Sequence, residues 1–117
     1  MYTYKAKLIR VIDGDTIDAE IDLGFGVFVK QRIRLYGINT PDSRSKNEDE
    51  KLLGLGSKQR LTELLTSEFI VETILNKRGK FGRILGIIYS VDGETQQHTN
   101  INDKLVADGF AAPYLLK

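Results

Sequence analysis

Three short segments of the chain hold side chains able to act on a substrate. In Ile12-Asp13-Gly14-Asp15-Thr16 two carboxylates stand two residues apart at the end of an apolar run, so both can approach one centre. Arg34 leads into Gly37-Ile38-Asn39-Thr40-Pro41-Asp42, where side-chain oxygens and main-chain carbonyls collect at a chain break. Lys80-Phe81-Gly82-Arg83 enters a further apolar run with a guanidinium at its mouth. Hard oxygen donors select Ca²⁺ or Mg²⁺ over zinc or copper. Two guanidiniums can hold a phosphate through parallel hydrogen bonds and stabilise the charge of a pentacovalent transition state. Each segment also has an ordinary structural reading: D-G-D is a common turn, T-P-D a common loop, and a strand arginine usually lies on a solvated face.

Other chemistries find no residues to carry them. The chain has no cysteine, which removes a disulfide framework, a thiol nucleophile and a thiolate zinc site, and permits a reducing cytosol. Its single histidine, His98, lies in the polar stretch TQQHTN and is expected at the surface, with no serine beside it for acyl transfer. P-loop, dinucleotide-binding, H-E-x-x-H and EF-hand patterns are all missing.

The scaffold that must position these segments is small. A length of 117 residues is enough for one domain, and 41% hydrophobic with 28% charged residues is the balance of an ordinary globular protein. No apolar run reaches the ~20 residues of a membrane helix. The start, Met1-Tyr2-Thr3-Tyr4-Lys5, lacks the apolar core of an export signal, so a cytoplasmic location is expected. A net charge of +1 does not announce a nucleic-acid binder, but the charges are segregated. Asp13 to Asp22 carries five carboxylates and no base, and Asn76 to Arg83 four bases and no acid. Such segments can bring a cation and a polyanion together, although two solvated loops of opposite sign are the expectation from charge alone.

Periodicity predicts three successive antiparallel strands. These are Lys5 to Ile12, the alternating run from Ile17 to Leu23, and Val27 to Ile38, with Gly24 and Gly26 bracketing a turn. Asn39-Thr40-Pro41-Asp42 ends the third, and Ser43 to Lys51 reads as an exposed loop. A helix is predicted from about Leu55 to Leu65, with Leu61, Leu64 and Leu65 as its buried stripe. Phe69 to Leu75 and Ile84 to Ser90 read as two more strands, and Asn100 caps a short helix that Gly109 ends. The result is a mainly β protein with α (α+β). Five strands with a helix between the third and fourth is the order of the OB-fold, a Greek-key barrel, here with a short C-terminal helix.

Taken together, I-D-G-D-T at 12–16, R-L-Y-G-I-N-T-P-D at 34–42, K-F-G-R at 80–83 and N-D-K-L-V-A-D-G-F-A at 102–111 resemble the staphylococcal nuclease (thermonuclease) family. The likeness runs over essentially the whole chain, 1–117, as one OB-fold domain, and is closest in form to the compact, unsecreted copies of phages and prophages. It implies that Asp15, Asn39 and the Thr40 carbonyl hold one Ca²⁺, with Mg²⁺ or Mn²⁺ substitution left open. Arg34 and Arg83 take the positions of the catalytic arginines, Asp42 that of the general base, and Asp13 that of a carboxylate supporting the metal ligands. Lys80 and Phe81 fall where the nucleotide is touched, and Tyr114 near a tyrosine that packs on the base.

Three positions depart from the family pattern. Asn39 replaces an aspartate and Asp42 a glutamate, while Phe81 lacks a tyrosine hydroxyl. An amide oxygen still ligates Ca²⁺ but with one charge fewer, so weaker binding is expected. A base one methylene shorter must still come within hydrogen-bond reach of its water. The implied activity is hydrolysis of DNA or RNA, single strands preferred, with little sequence specificity. No membrane or small-molecule cofactor is expected as a partner, and the chain is expected to be a monomer. The alternative is a catalytically weakened OB module that binds nucleic acid or protein without cutting.

Overall fold

The computed structural model describes residues 2–78 and 84–114. In chain order the elements are β1 (Thr3–Asp13), β2 (Thr16–Asp22), β3 (Phe28–Leu35), β4 (Ile38–Asn39), α1 (Glu48–Leu64), β5 (Glu68–Arg78), β6 (Ile84–Val91), β7 (His98–Asn100), α2 (Ile101–Ala107) and β8 (Ala112–Pro113). β1, β2 and β3 form an antiparallel meander, β1 pairs with β5 on its other side, and β5 pairs with β6. Parallel pairing of Ile33 with Ile84 and of Leu35 with Gly86 then joins β3 to β6 and closes a five-stranded barrel. The expected OB architecture is therefore present.

Alternation explains β2. Ile17, Ala19 and Ile21 point into the barrel and are buried, while Asp18, Glu20 and Asp22 point outward. Ile33 and Leu35 of β3, Phe69 and Val71 of β5, and Ile88 of β6 fill the interior. Leu61 and Leu65 near the end of α1, with Ile101 and Leu105 of α2, complete the same core. Much of the acidic run thus lies on a strand and not in a loop, with Asp18 facing Arg32 and Glu20 facing Lys30 across the β2–β3 ladder. Gly86 brings β5 and β6 together closely, because a Cβ there would meet Val71 Cγ2 at 2.9 Å.

α1 begins at Glu48, seven residues before the predicted Leu55, so the last part of the expected loop is helical. Asn47 caps it by accepting the Glu50 N–H at 3.1 Å, and Glu48, Asp49 and Glu50 sit at the positive end of the helix dipole. The first turns bury Gly54 and Ser57 and leave Leu52, Leu53 and Leu55 exposed, so they carry no apolar stripe for periodicity to detect. Leu64, expected in the buried stripe, is half-buried against the core. The third strand is shorter than predicted. It stops at Leu35, turns at Gly37 (φ +80°) and resumes as the two-residue β4, which pairs with β8.

α2 starts as predicted, with Asn100 accepting from the Asp103 N–H at 3.0 Å, and Gly109 follows it at φ +83°. Asn102 anchors the helix to the barrel. Its Oδ1 accepts from Ile88 N at 3.1 Å, and its Nδ2 donates to the carbonyls of Tyr36 (2.8 Å) and Gly86 (3.2 Å). Arg60 of α1 donates to Asp108 at 2.8 Å, tying the two helices. That hydrogen bond holds the Asp108 carboxyl below the usual aspartate range. His98 lies exposed in β7, with its ring 6.5 Å from that of Tyr89. Among the described residues no helix is long and apolar enough to cross a membrane.

Candidate active site

The turn between β1 and β2 meets the loop after β4 at one end of the barrel. Asp15 lies in that turn and is 6% exposed, and Arg34, next to last in β3, is 7% exposed. Asp15 Oδ2 accepts the Thr40 N–H at 3.1 Å, and its Oδ1 accepts the Thr16 hydroxyl at 3.0 Å. Arg34 Nη2 stands 3.4 Å from Asp15 Oδ2 and donates to Asn39 Oδ1 at 3.2 Å, while Nη1 donates to the Leu35 carbonyl at 2.7 Å. One guanidinium nitrogen therefore links the turn carboxylate to the β4 amide. An ion pair this deeply buried needs such added hydrogen bonds to offset its desolvation.

Asp13 acts on the same loop from one side. Its Oδ1 accepts from Gly14 N at 3.1 Å and from Ser43 N at 3.3 Å, pinning Pro41-Asp42-Ser43 to the turn. α1 presses on that loop from the other side. A Cβ on Gly54 would stand 2.5 Å from Ser43 N, 2.6 Å from the Asp42 carbonyl carbon and 2.7 Å from the Pro41 oxygen. Gly14 is equally confined, since a Cβ there would stand 2.7 Å from Ser57 Cβ and 2.9 Å from Thr40 Oγ1. Ser57 Oγ donates to the Phe110 carbonyl at 2.6 Å and so adds the segment after α2 to this packing. Gly54 and Ser57 had no signal in the sequence, since their role is to permit or complete close approach.

The structure thus brings Asp13, Asp15, Arg34, Asn39 and Thr40 together. Asp42 lies on the same loop but is exposed, and its Oδ1 accepts the Arg44 N–H at 2.8 Å. Tyr114 follows β8 and donates its N–H to the Gly37 carbonyl at 2.8 Å, which sets it beside β4 with a 45% exposed side chain. Lys80, Phe81 and Arg83 lie outside the described residues. Ile84, the first described residue after them, pairs with Ile33, the neighbour of Arg34.

The donors around Arg34 suit a hard cation. Among the described residues Asp15 Oδ1 and Asn39 Oδ1 each accept one hydrogen bond and keep lone-pair capacity, and Thr40 adds a buried hydroxyl with no hydrogen-bond partner there. Among the described residues no group of three or more His, Cys, Asp or Glu side chains could hold a metal ion. A cation at this place would be held by few protein charges and would share its oxygens with the Arg34 guanidinium, which weakens binding.

Residues 32–117 match the family model described as staphylococcal nuclease homologue. The chain is 31% identical over 116 residues to the micrococcal nuclease of Shigella flexneri, covering 95% of this chain and 59% of the relative. An uncharacterised endonuclease of Escherichia coli is 33% identical over 108 residues, covering 92% of this chain and 60% of the relative. Protein ParB of Escherichia coli is 27% identical over 117 residues, with 94% and 57% covered. The chain spans 57–60% of the length of these relatives. With the family model matched over most of its length, on a barrel that gathers Asp15, Arg34 and Asn39 at one end, the chain belongs to the staphylococcal nuclease homologue family.

Proposed function

We propose that this chain is a metal-dependent nuclease that hydrolyses phosphodiester bonds of DNA or RNA. The observation that carries the reading is the single Arg34 nitrogen held between Asp15 Oδ2 at 3.4 Å and Asn39 Oδ1 at 3.2 Å. A guanidinium oriented by an anion and an amide is a preorganised receptor for a second anion that reaches it from outside. The names of the nuclease and endonuclease relatives support the same reaction class.

Asp15, Asn39 and the Thr40 carbonyl would hold Ca²⁺, which when bound neutralises phosphate charge and brings a water close to phosphorus. Asp42 accepts the proton of the attacking water as its oxygen bonds to phosphorus, and the ester P–O bond on the opposite side breaks. With Oδ1 turned onto the Arg44 N–H, Oδ2 is the oxygen left to do so. Arg34 and Arg83 hold the equatorial oxygens, and one of them meets the charge on the departing oxygen. Lys80, Phe81 and Tyr114 bind the nucleotide, with rings that stack on bases without choosing among them. A preference for single strands, low sequence specificity and a monomeric form follow from this reading.

The test is digestion of denatured DNA with Ca²⁺, repeated with a chelator. Cutting that stops on chelation supports the proposal. The second reading, a module that binds without cutting, is favoured by one observation, the short Asp42 carboxylate engaged with its own loop. Binding of nucleic acid without hydrolysis at any metal concentration would establish it in place of the enzyme.

A further inference from the structure

The outer face of the β1–β2–β3 sheet has an order of which the hydrolytic site uses only Arg34, at one end. On β3, Phe28, Lys30, Arg32 and Arg34 share one face of the strand, because side chains alternate with period two. They follow one another at about 6.8 Å, a step comparable to that between successive phosphates of an extended single strand. β1 supplies a second row. Lys5 faces Asp22, Lys7 faces Glu20 and Arg10 faces Asp18.

The third of those pairings depends on an irregularity. Regular pairing after Lys7–Glu20 and Leu8–Ala19 would set Ile9 opposite Asp18, but the register shifts between Leu8 and Arg10 and puts the guanidinium there. Bulges commonly re-aim a side chain in this way. Asp18 is then shared by two arginines. Arg10 Nε donates to its Oδ2 at 2.9 Å, and Arg32 donates from Nε to Oδ1 at 2.8 Å and from Nη2 to Oδ2 at 3.2 Å. Two cations on one carboxylate leave a net positive charge. Both Arg10 terminal nitrogens and Arg32 Nη1 find no partner among the described residues. A shallow groove of about 490 Å³ lined by Ile9, Arg10, Asp18, Lys30, Gln31 and Arg32 lies over this cluster.

At the far end of the same face the β2–β3 hairpin carries an exposed apolar tip. Leu23, Phe25, Val27 and Phe28 are all exposed, Phe25 completely. The tip is a built turn: Val27 N donates to the Gly24 carbonyl, Leu23 N to the Val27 carbonyl and Gly24 N to Asp22 Oδ1. Phe25 is held at φ +55°, a region few non-glycine residues adopt.

We propose that this face is an extension of the active site that binds a single-stranded nucleic acid leading away from Arg34. Arg10 and Arg32 receive a phosphate between them, Lys30 meets the next, and Phe28 and Phe25 stack on bases at the hairpin end. The inference rests on the nuclease reading for its direction along the strand. Cations in register with phosphates, followed by aromatic rings, form the electrostatic track and stacking platform that sequence-tolerant single-strand binders use. Asp18 sets the two guanidiniums and also competes with the phosphate, which makes the site tunable.

The experiment measures binding of a labelled oligothymidylate with chelator present, across a salt series, together with KM and kcat on denatured DNA with Ca²⁺. For Arg10→Gln with Arg32→Gln, the one phosphate held between them is no longer neutralised, so the slope of log affinity against log salt falls by about 0.7. KM rises and kcat holds. Asp18→Asn keeps both guanidiniums and removes their competitor, so it tightens binding, and this variant reports even if the double variant folds poorly. Phe28→Ala weakens binding roughly tenfold and leaves the salt slope unchanged. An unchanged slope in the double variant, with Asp18→Asn no tighter, overturns the track while leaving hydrolysis intact. A changed slope in a protein that never cuts supports the track and refutes the nuclease. Phe25→Ser and Phe28→Ser variants that bind the oligonucleotide as wild type but no longer bind vesicles of phosphatidylserine and phosphatidylcholine would assign the tip to a lipid surface and overturn its stacking role.

Discussion

Gly54 and Gly56 lie two residues apart in α1, and the same substitution should act on them in opposite directions. An exposed or half-exposed helical glycine replaced by alanine gains about 0.8–1.0 kcal/mol from reduced backbone entropy loss. A methyl added at Gly56 would have nothing within 4 Å, so Gly56→Ala should realise that gain in full. At Gly54 the methyl would stand 2.5–2.7 Å from three main-chain atoms of Pro41, Asp42 and Ser43, none of which can swing away like a side-chain tip. Overpacking of this kind costs roughly 1–3 kcal/mol, which cancels or outweighs the helical gain and leaves a net loss of up to about 2 kcal/mol. At roughly 4 °C per kcal/mol for a chain of this size, the two variants should melt about 4–12 °C apart. Circular dichroism melts check the order. The loop that must yield is the one carrying Asp42, so Gly54→Ala should also lower kcat on denatured DNA, by up to about a hundredfold for an ångström of displacement. Equal stabilisation by both alanines would refute the idea that α1 presses on the loop carrying Asp42.

Three other variants follow from the same geometry. Asp15→Ala removes the anion beside a buried guanidinium that keeps its bonds to Leu35 and Asn39, so urea unfolding should show a loss of about 3 kcal/mol. Asn39→Asp adds a second carboxylate to the proposed cation ligands, and calorimetric titration should find Ca²⁺ bound about tenfold more tightly. Arg60 hydrogen-bonds Asp108 and holds its pKa below the usual aspartate range, so the pairing stabilises the fold above that range and is lost as pH falls through the lowered value. Stability of wild type relative to Asp108→Asn should therefore be constant from neutral pH to about 5 and converge in stronger acid, as read from acid-unfolding curves.

The barrel was legible where side-chain period alone decides placement. The alternation of Ile17, Ala19 and Ile21 with Asp18, Glu20 and Asp22 gives both the strand and its buried face, and Asn100 marks the start of α2 by its capping chemistry. The grouping of Asp13, Asp15, Asn39 and Thr40 was legible for a related reason: they lie at strand ends and in the adjoining turn and loop, with residue types unusual for a core. Features without a local signature depend on contacts between distant segments. The start of α1 has Gly54 and Ser57 as its buried face, which no hydropathy pattern reveals, and the β4–β8 pair joins two-residue strands far apart in sequence. The bulge that places Arg10 opposite Asp18 depends on register, which is set by the closed sheet and not by any local residue preference.

The account turns on Arg34 contacting the scissile phosphate, and Arg34→Lys tests this most directly. Lysine keeps the positive charge beside Asp15 and the fold with it, but loses the planar fork that can serve Asn39 and a phosphate together. Steady-state hydrolysis of denatured DNA with Ca²⁺ should show kcat reduced by about 10²–10³ with KM little changed. A folded Arg34→Lys protein that cuts at the wild-type rate would contradict the account.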